Sequence, residues 1–229
     1  MFGVTATLYE ELINRGQNIL IAGTTGSGKS VLLNGIINSI LYENPAKHQM
    51  VLIDLKIVEF SQFKNTANCI SCATSKNEAE MALAYVYDLI KMRLKNMEKR
   101  GIKNFDGTKI HLIIDEMAEL MLDSKDCAKL LQRICQIGRA AGVQVICATQ
   151  CPLSSVIPTK IKVNFNIVIG LHTRTAQDSR NILGETGCEK LPMYGQALIL
   201  RPGQEIVKEK IQMIPEEWLQ RIIEYRTRR

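Results

Sequence analysis

The chain has 229 residues, 46% of them hydrophobic and 23% charged, which suits a single α/β domain over residues 1–229 and leaves too little for two ordinary domains with a linker. Its net charge of +6 permits a polyanionic partner without demanding one, and seven scattered cysteines argue against a disulfide framework and for reduced, mostly buried thiols. The apolar runs fall short of a membrane span and the first residues lack the pattern of a signal peptide, so the chain is expected to be soluble and cytoplasmic, with no membrane segment of its own.

Residues 5–14, with Thr5, Leu8, Leu12 and Ile13 among polar neighbours, predict a short amphipathic helix ended by Arg15 and Gly16. The apolar run Ile19 to Ala22 predicts a strand. It leads into Gly23, Thr24, Thr25, Gly26, Ser27, Gly28, Lys29, Ser30 and Val31, the spacing of a phosphate-binding loop that follows a strand and opens a helix. Glycines there let backbone N–H groups close around an anion, and the helix adds its positive end. Lys29 is placed to reach the β- and γ-phosphates of a nucleotide, and the Ser30 hydroxyl to ligate Mg²⁺.

The helix is predicted to run to about Tyr42, before Asn44 and Pro45. Met50 to Asp54 reads as a central parallel strand, apolar on both faces, with Asp54 and Lys56 at its carboxyl edge. Residues 57–74 are expected to be irregular or made of short elements. Within them Cys69 and Cys72 have the spacing of half a zinc site, but no second pair follows, and they read as core cysteines on a short strand. Ser75 and Glu78 form a capping box for a long helix to about Arg100, whose Met81, Ala84, Tyr85, Leu89, Met92 and Leu94 are expected to face the core. The polar loop after Gly101 carries Lys103 and Lys109, a candidate phosphate-backbone contact.

Ile110 to Glu116 predicts a strand ending in two carboxylates, Asp115 to hold the metal through water and Glu116 to polarise the attacking water. His111, inside that strand, reads as a core or interface histidine. A helix is expected from Lys125 to Ala141, then a strand from Val143 to Gln150, whose terminal amide is placed to sense the γ-phosphate or position the water. A fifth strand over 167–171, a helix through Asp178 to Leu183, a hairpin-like element over 196–212 and a helix from Pro215 complete the chain, and the basic end, Arg226 to Arg229, reads as a solvated tail.

This order of motifs resembles the RecA-like branch of phosphate-loop ATPases, and more closely the motor domain of the FtsK/SpoIIIE DNA translocases. The resemblance is carried by Ala22 to Val31, by Ile53 to Lys56 with Glu59 and Ser61, by Asp115 to Met121, Arg139 to Gly142, Ala148 to Gln150, and Asp178 to Arg180. It implies an α/β fold with a mostly parallel central sheet in the order 5-1-4-3-2, flanked by helices, with a small C-terminal β element and helix. It also implies a homo-oligomeric ring, of six subunits, around double-stranded DNA, with ATP between neighbours and Arg139 reaching the adjacent subunit's γ-phosphate.

The chain departs from the family at two positions that commonly hold basic residues, occupied here by Cys151 and Ala176. Arg180, Arg174 and Lys103 are the remaining candidates for DNA contact, with Lys160 and Lys162 as further cations. A membrane region, a preceding lobe and a winged-helix DNA reader are not evident, so the chain reads as a minimal motor of the kind found in conjugative elements, phages and plasmids, served by a membrane or relaxosome partner. Two readings stay open: a DNA pump, or an ATPase of the same fold acting on a protein substrate or as a regulatory switch.

Overall fold

The structure, a computed structural model, describes residues 7–150 and 157–227; Thr5, Cys151, Arg228 and Arg229 lie outside the described residues. The chain runs through α1 (Thr7–Asn14), β1 (Ile19–Ala22), α2 (Lys29–Tyr42), β2 (His48–Ile53), β3 (Cys69–Ala73), α3 (Lys76–Arg100), β4 (Lys109–Ile114) and α4 (Met117–Asp123). It continues with α5 (Lys125–Ile137), a 3-10 turn (Gly138–Ala141), β5 (Val143–Thr149), α6 (Thr159–Lys162), β6 (Ile167–Gly170), α7 (Ala176–Leu183), β7 (Gln196–Leu200), β8 (Val207–Lys210) and α8 (Glu216–Thr227).

All strands lie in one sheet, ordered β3-β2-β4-β5-β1-β6-β7-β8. The five strands anticipated from the sequence keep their 5-1-4-3-2 order as β6-β1-β5-β4-β2, all parallel. Two features extend it. Cys69 and Cys72 lie on β3, which pairs parallel to β2 at the outer edge. The hairpin-like element is not a separate β unit, because β7 pairs antiparallel to β6 and carries β8 with it. Four of the described cysteines, at 127, 135, 147 and 188, are buried, and Cys69 and Cys72 are partly so.

Helices cover both faces, which is why the inner strands are apolar throughout. Ile19 and Ile21 of β1 point with Met50 and Leu52 into a core shared with α1, α2 and α8. Leu20, Val51 and Ile53 point the other way, against α3, α4 and α5. The core face of α3 differs from the expected one. Ala79, Ala82, Leu83, Val86 and Ile90 are buried, whereas Met81, Tyr85 and Met92 are 72%, 47% and 61% exposed. Both stripes have helical spacing; the alanines win because small side chains let the helix lie close on the sheet beside the branched residues.

At the amino ends of the strands a buried polar relay ties β2, β4 and β5 to α1. The Gln144 amide donates to Leu12 O and Gln17 O at 2.8 and 2.7 Å, so its Oε1 accepts from His111 Nδ1 at 2.8 Å. His111 Nε2 is left to accept from His48 Nδ1 at 3.0 Å. Burial, with His48 beside it, pushes His111 down to about 3, holding it neutral. This is the core histidine the strand suggested.

Gly35 of α2 lies under the ring of Tyr9, and a Cβ there would stand 2.3 Å from the ring carbon Cζ. Tyr9 is 1% exposed and its hydroxyl is bonded to Gln212 O, so the ring has nowhere to turn. Ala outranks Gly in a helix by about 1 kcal/mol, but overpacking costs about 1–3 kcal/mol. Gly35→Ala is therefore expected to destabilise the fold in urea unfolding, and Tyr9→Leu in the same chain to recover part of the loss; a more stable Gly35→Ala single variant overturns this.

Candidate nucleotide site

Parallel strands bring their carboxyl ends to one edge, and there the sheet assembles the residues picked out from the sequence. β1 delivers the phosphate loop. The loop is pinned by Gly23 N–H to Thr149 O (3.3 Å), Thr24 N–H to His172 O (3.0 Å) and Ser27 N–H to Thr24 O (3.1 Å). Gly26 and Gly28 adopt φ of 79° and 94°, the left-handed region that favours glycine. At Gly23 the requirement is space, because a Cβ would meet Ser27 Oγ at 2.6 Å and Leu171 Cβ at 2.7 Å. The N–H groups of the first turn of α2 point into the loop, where no intrahelical carbonyl meets them.

Lys29 is buried, and its Nζ donates to Gly23 O at 2.8 Å and Thr24 O at 3.0 Å. Burial lowers its pKa, while Glu116 and Asp115 oppose that shift. The Ser30 hydroxyl donates to Glu59 Oε1 at 2.7 Å. Asp115, just past β4, is pushed up to about 6 by burial and by the nearby Glu59, Asp54 and Glu116 carboxylates. Hard oxygen donors crowded so closely that the Asp115 carboxyl resists ionisation are the donor set a magnesium ion takes, so Ser30, Asp115 and Glu59 fit one.

Glu116 caps α4, accepting from Ala118 N–H at 3.4 Å. It also accepts from the Thr149 hydroxyl at 2.7 Å and the Gln150 N–H at 3.0 Å. Gln150 in turn accepts from the Thr25 hydroxyl at 2.7 Å. The phosphate loop, the amide at the end of β5 and the carboxylate at the end of β4 are thus one hydrogen-bonded chain. A carboxylate has about four lone-pair sites, which leaves Glu116 capacity for a water.

Several members were not among the site candidates. Glu59, quoted only as part of a motif, reaches Ser30 because Asp54 Oδ2 accepts from the N–H groups of Glu59 and Phe60 at 2.8 and 3.0 Å. That clip curls the chain after β2 and holds Ile57 at φ 60°, a strained setting for a β-branched residue. Beside Gly26 to Gly28 an apolar cleft of about 320 Å³ is lined by Val31, Leu171, Tyr194, Ile211 and Met213. Tyr194 and Met213 are 74% and 70% exposed. Their signal in the sequence is only their exposure-prone loop positions; the antiparallel extension of the sheet brings them to the loop.

Arg139 is elsewhere. It sits on the 3-10 turn before β5, exposed, in a cleft of about 590 Å³ with Arg15, Lys103 and Lys109. β5 has seven residues, about 20 Å of strand, and separates it from the phosphate loop of the same chain. Of the three DNA candidates, Lys103 is set apart from Arg174 and Arg180, which lie just before α7 and on it. Lys103 shares the Arg139 cleft, Arg174 lines a cleft with Gly23, Thr24, Thr25 and Gln150, and Arg180 lies exposed on α7. Lys162 donates to Asn181 O at 3.3 Å.

Fold and site together define a phosphate-loop ATPase domain of the RecA-like kind. Residues 4–111 match the model of the FtsK/SpoIIIE family. The chain is 32% identical over 258 aligned positions to the DNA translocase FtsK of Brucella melitensis biotype 1, covering 93% of this chain and 32% of that protein. The chain belongs to the FtsK/SpoIIIE family, and it spans about a third of the length of the curated relatives it matches. Among solved structures it is similar to the conjugation coupling protein TcpA of pCW3, in a monomer form with ATPγS, at 27% identity and a TM-score of 0.79, covering 93% of this chain and 66% of that one. It shares its fold with the cytoplasmic domain of the Thermomonospora curvata type VII secretion ATPase EccC, at 22% identity and a TM-score of 0.77, over 91% of this chain and 27% of that one. No helix among the described residues is long and apolar enough to cross a membrane.

Proposed function

We propose that this chain is an ATP-hydrolysing motor domain that moves double-stranded DNA, working as a homo-oligomeric ring of six subunits in the cytoplasm. The observation that carries the reading is the division of the machinery. Lys29, Ser30, Asp115, Glu116 and Gln150 converge at one end of the sheet, and Arg139 stands at the other, out of reach of its own site. An arginine so placed serves a neighbouring copy.

In this reading the backbone of Gly23 to Val31 seats the phosphates, and the cleft of Val31, Tyr194 and Met213 takes the nucleobase. Ser30 and Asp115, with Glu59 behind them, hold Mg²⁺, which when bound neutralises charge on the phosphates. Lys29 stabilises charge on the transferring phosphoryl group. Glu116 takes the proton of the attacking water, and Gln150 positions that water and links its state to Thr25. Arg139 of the next subunit completes the site, a contribution of roughly 10³–10⁵ in rate in arginine-finger systems. The likeness to a conjugation coupling protein supports transfer of a mobile element's DNA as the task, with a membrane or relaxosome protein as partner.

One observation favours the alternative, an ATPase that acts on a protein or as a switch: two of the three DNA candidates do not share a face, Lys103 lining the Arg139 cleft and Arg174 the cleft beside the phosphate loop. The test is ATP hydrolysis with no DNA, a short duplex and a long duplex, alongside duplex binding across a salt series. A pump is stimulated strongly by long duplex, and Arg180→Ala reduces binding and flattens the salt slope by about 0.9, without sequence preference. Cys151→Arg is expected to strengthen binding. Hydrolysis indifferent to duplex, with binding unchanged in both variants, overturns the pump in favour of the alternative.

A further inference from the structure

Arg174, one of the residues read as a DNA contact, is held against the phosphate loop by the backbone on both sides of it. Thr24 donates to His172 O twice, through its N–H at 3.0 Å and its hydroxyl at 3.2 Å. Arg174 follows two residues later, within about 7 Å along the chain. On its other side the Thr175 hydroxyl caps α7, accepting from Asp178 N–H at 3.1 Å and donating to Asp178 Oδ2 at 2.7 Å. Thr173 between them is buried and donates to Thr175 O at 3.2 Å. The platform is fixed, yet the guanidinium is exposed and makes no hydrogen bond or ion pair with a described residue.

The space it borders is a cleft of about 260 Å³. Besides Arg174 it is lined by Gly23, Thr24 and Thr25 of the phosphate loop, by Gln150, Thr173 and Asp178, and by Ile182. Thr25 and Gln150 are already bonded to each other and, through Gln150 N–H, to Glu116. Among the described residues that line it Arg174 is the one full positive charge, and it shares the cleft with Gly23, Thr24 and Thr25, the part of the loop that precedes Lys29. Asp178 repels an anion there, but its Oδ2 is engaged by Thr175. A fork of N–H donors without a carboxylate partner, beside a phosphate loop, suits a phosphate oxygen.

We propose that Arg174 binds the terminal phosphate of the nucleotide held by its own chain, as a second cation opposite Lys29, and does not contact DNA. This rests on the reading of the loop as a nucleoside triphosphate site. It gives each site one arginine from its own chain and one, Arg139, from a neighbour. It also makes the tip of β6 and the start of α7 sensitive to the presence of the third phosphate.

The experiment measures Mg²⁺-dependent binding of ATPγS and of ADP, and duplex DNA binding across a salt series, for the wild type, Arg174→Ala, Arg174→Lys and Arg180→Ala. Arg174→Ala is expected to weaken ATPγS by about tenfold or more while ADP binding changes less than about twofold, which also shows that the variant is folded. Arg174→Lys recovers part of the ATPγS affinity, and the duplex salt slope stays at the wild-type value. Equal effects on ATPγS and ADP, no effect on either, or a salt slope reduced by about 0.9 as for a phosphate contact on DNA, overturns the proposal. A wild type that binds neither nucleotide overturns the reading of the loop and this inference with it; a wild type that binds both, with Arg174→Ala indistinguishable from it, overturns the inference alone.

Discussion

Lys29→Ala is expected to abolish ATP hydrolysis, whereas Glu116→Gln is expected to keep ATP binding and block turnover. The difference follows from where the two groups act. Lys29 Nζ lies on the loop itself, bonded to Gly23 O and Thr24 O, and a triphosphate takes over that cation from the carbonyls. Removing it removes charge stabilisation from the ground state and, more strongly, from the transition state. Glu116 is held off the loop by the Thr149 hydroxyl and the Gln150 N–H. The glutamine amide has its one oxygen where Oε1 stands, within reach of both the Thr149 hydroxyl (2.7 Å) and the Gln150 N–H (3.3 Å), but it loses the basicity that takes the proton from water, a role contributing typically 10²–10⁴-fold. Nucleotide binding by fluorescence and phosphate release by a coupled assay separate the two variants. Near wild-type hydrolysis by Glu116→Gln would mean that another group is the base.

The second large effect is in trans. Arg139→Ala is expected to lower hydrolysis by roughly 10³-fold or more while leaving nucleotide affinity of the isolated chain close to wild type, because the side chain stands about 20 Å of strand away from its own loop. Specific activity of the wild type should rise with protein concentration, or with duplex that gathers the subunits. Mixing Arg139→Ala chains with Lys29→Ala chains should recover some activity, because an intact pocket of one then meets an intact arginine of the other. The alternative role for Arg139, closing the end of a helix, predicts a loss of stability and no complementation. Full activity in a demonstrably monomeric sample rules the neighbour out.

What the sequence by itself determined is the local chemistry. The glycine spacing from Gly23 to Gly28, the lysine and hydroxyl that follow, and the carboxylates at the tip of an apolar strand are contiguous, and contiguous residues share one element end whatever the rest of the chain does. The strand segments were legible for the same reason, since a strand buried on both faces is an unbroken apolar run. The order of the five inner strands came from resemblance, because parallel strands are joined by helical crossovers and no local signal states which neighbours pair. Tertiary structure alone decided the rest. Helical spacing on α3 fitted two faces, and only packing against the sheet chose Ala79, Leu83 and Val86 over Met81 and Tyr85. Glu59 came to Ser30 through the Asp54 clip, a bond between a buried carboxylate and the backbone of a curl that has no periodicity to read. Arg139 and Arg174 look alike in the sequence, each an arginine next to small residues, yet one lies before a parallel strand and the other just after one. The direction of those strands puts them at opposite ends of the sheet, and so in different sites.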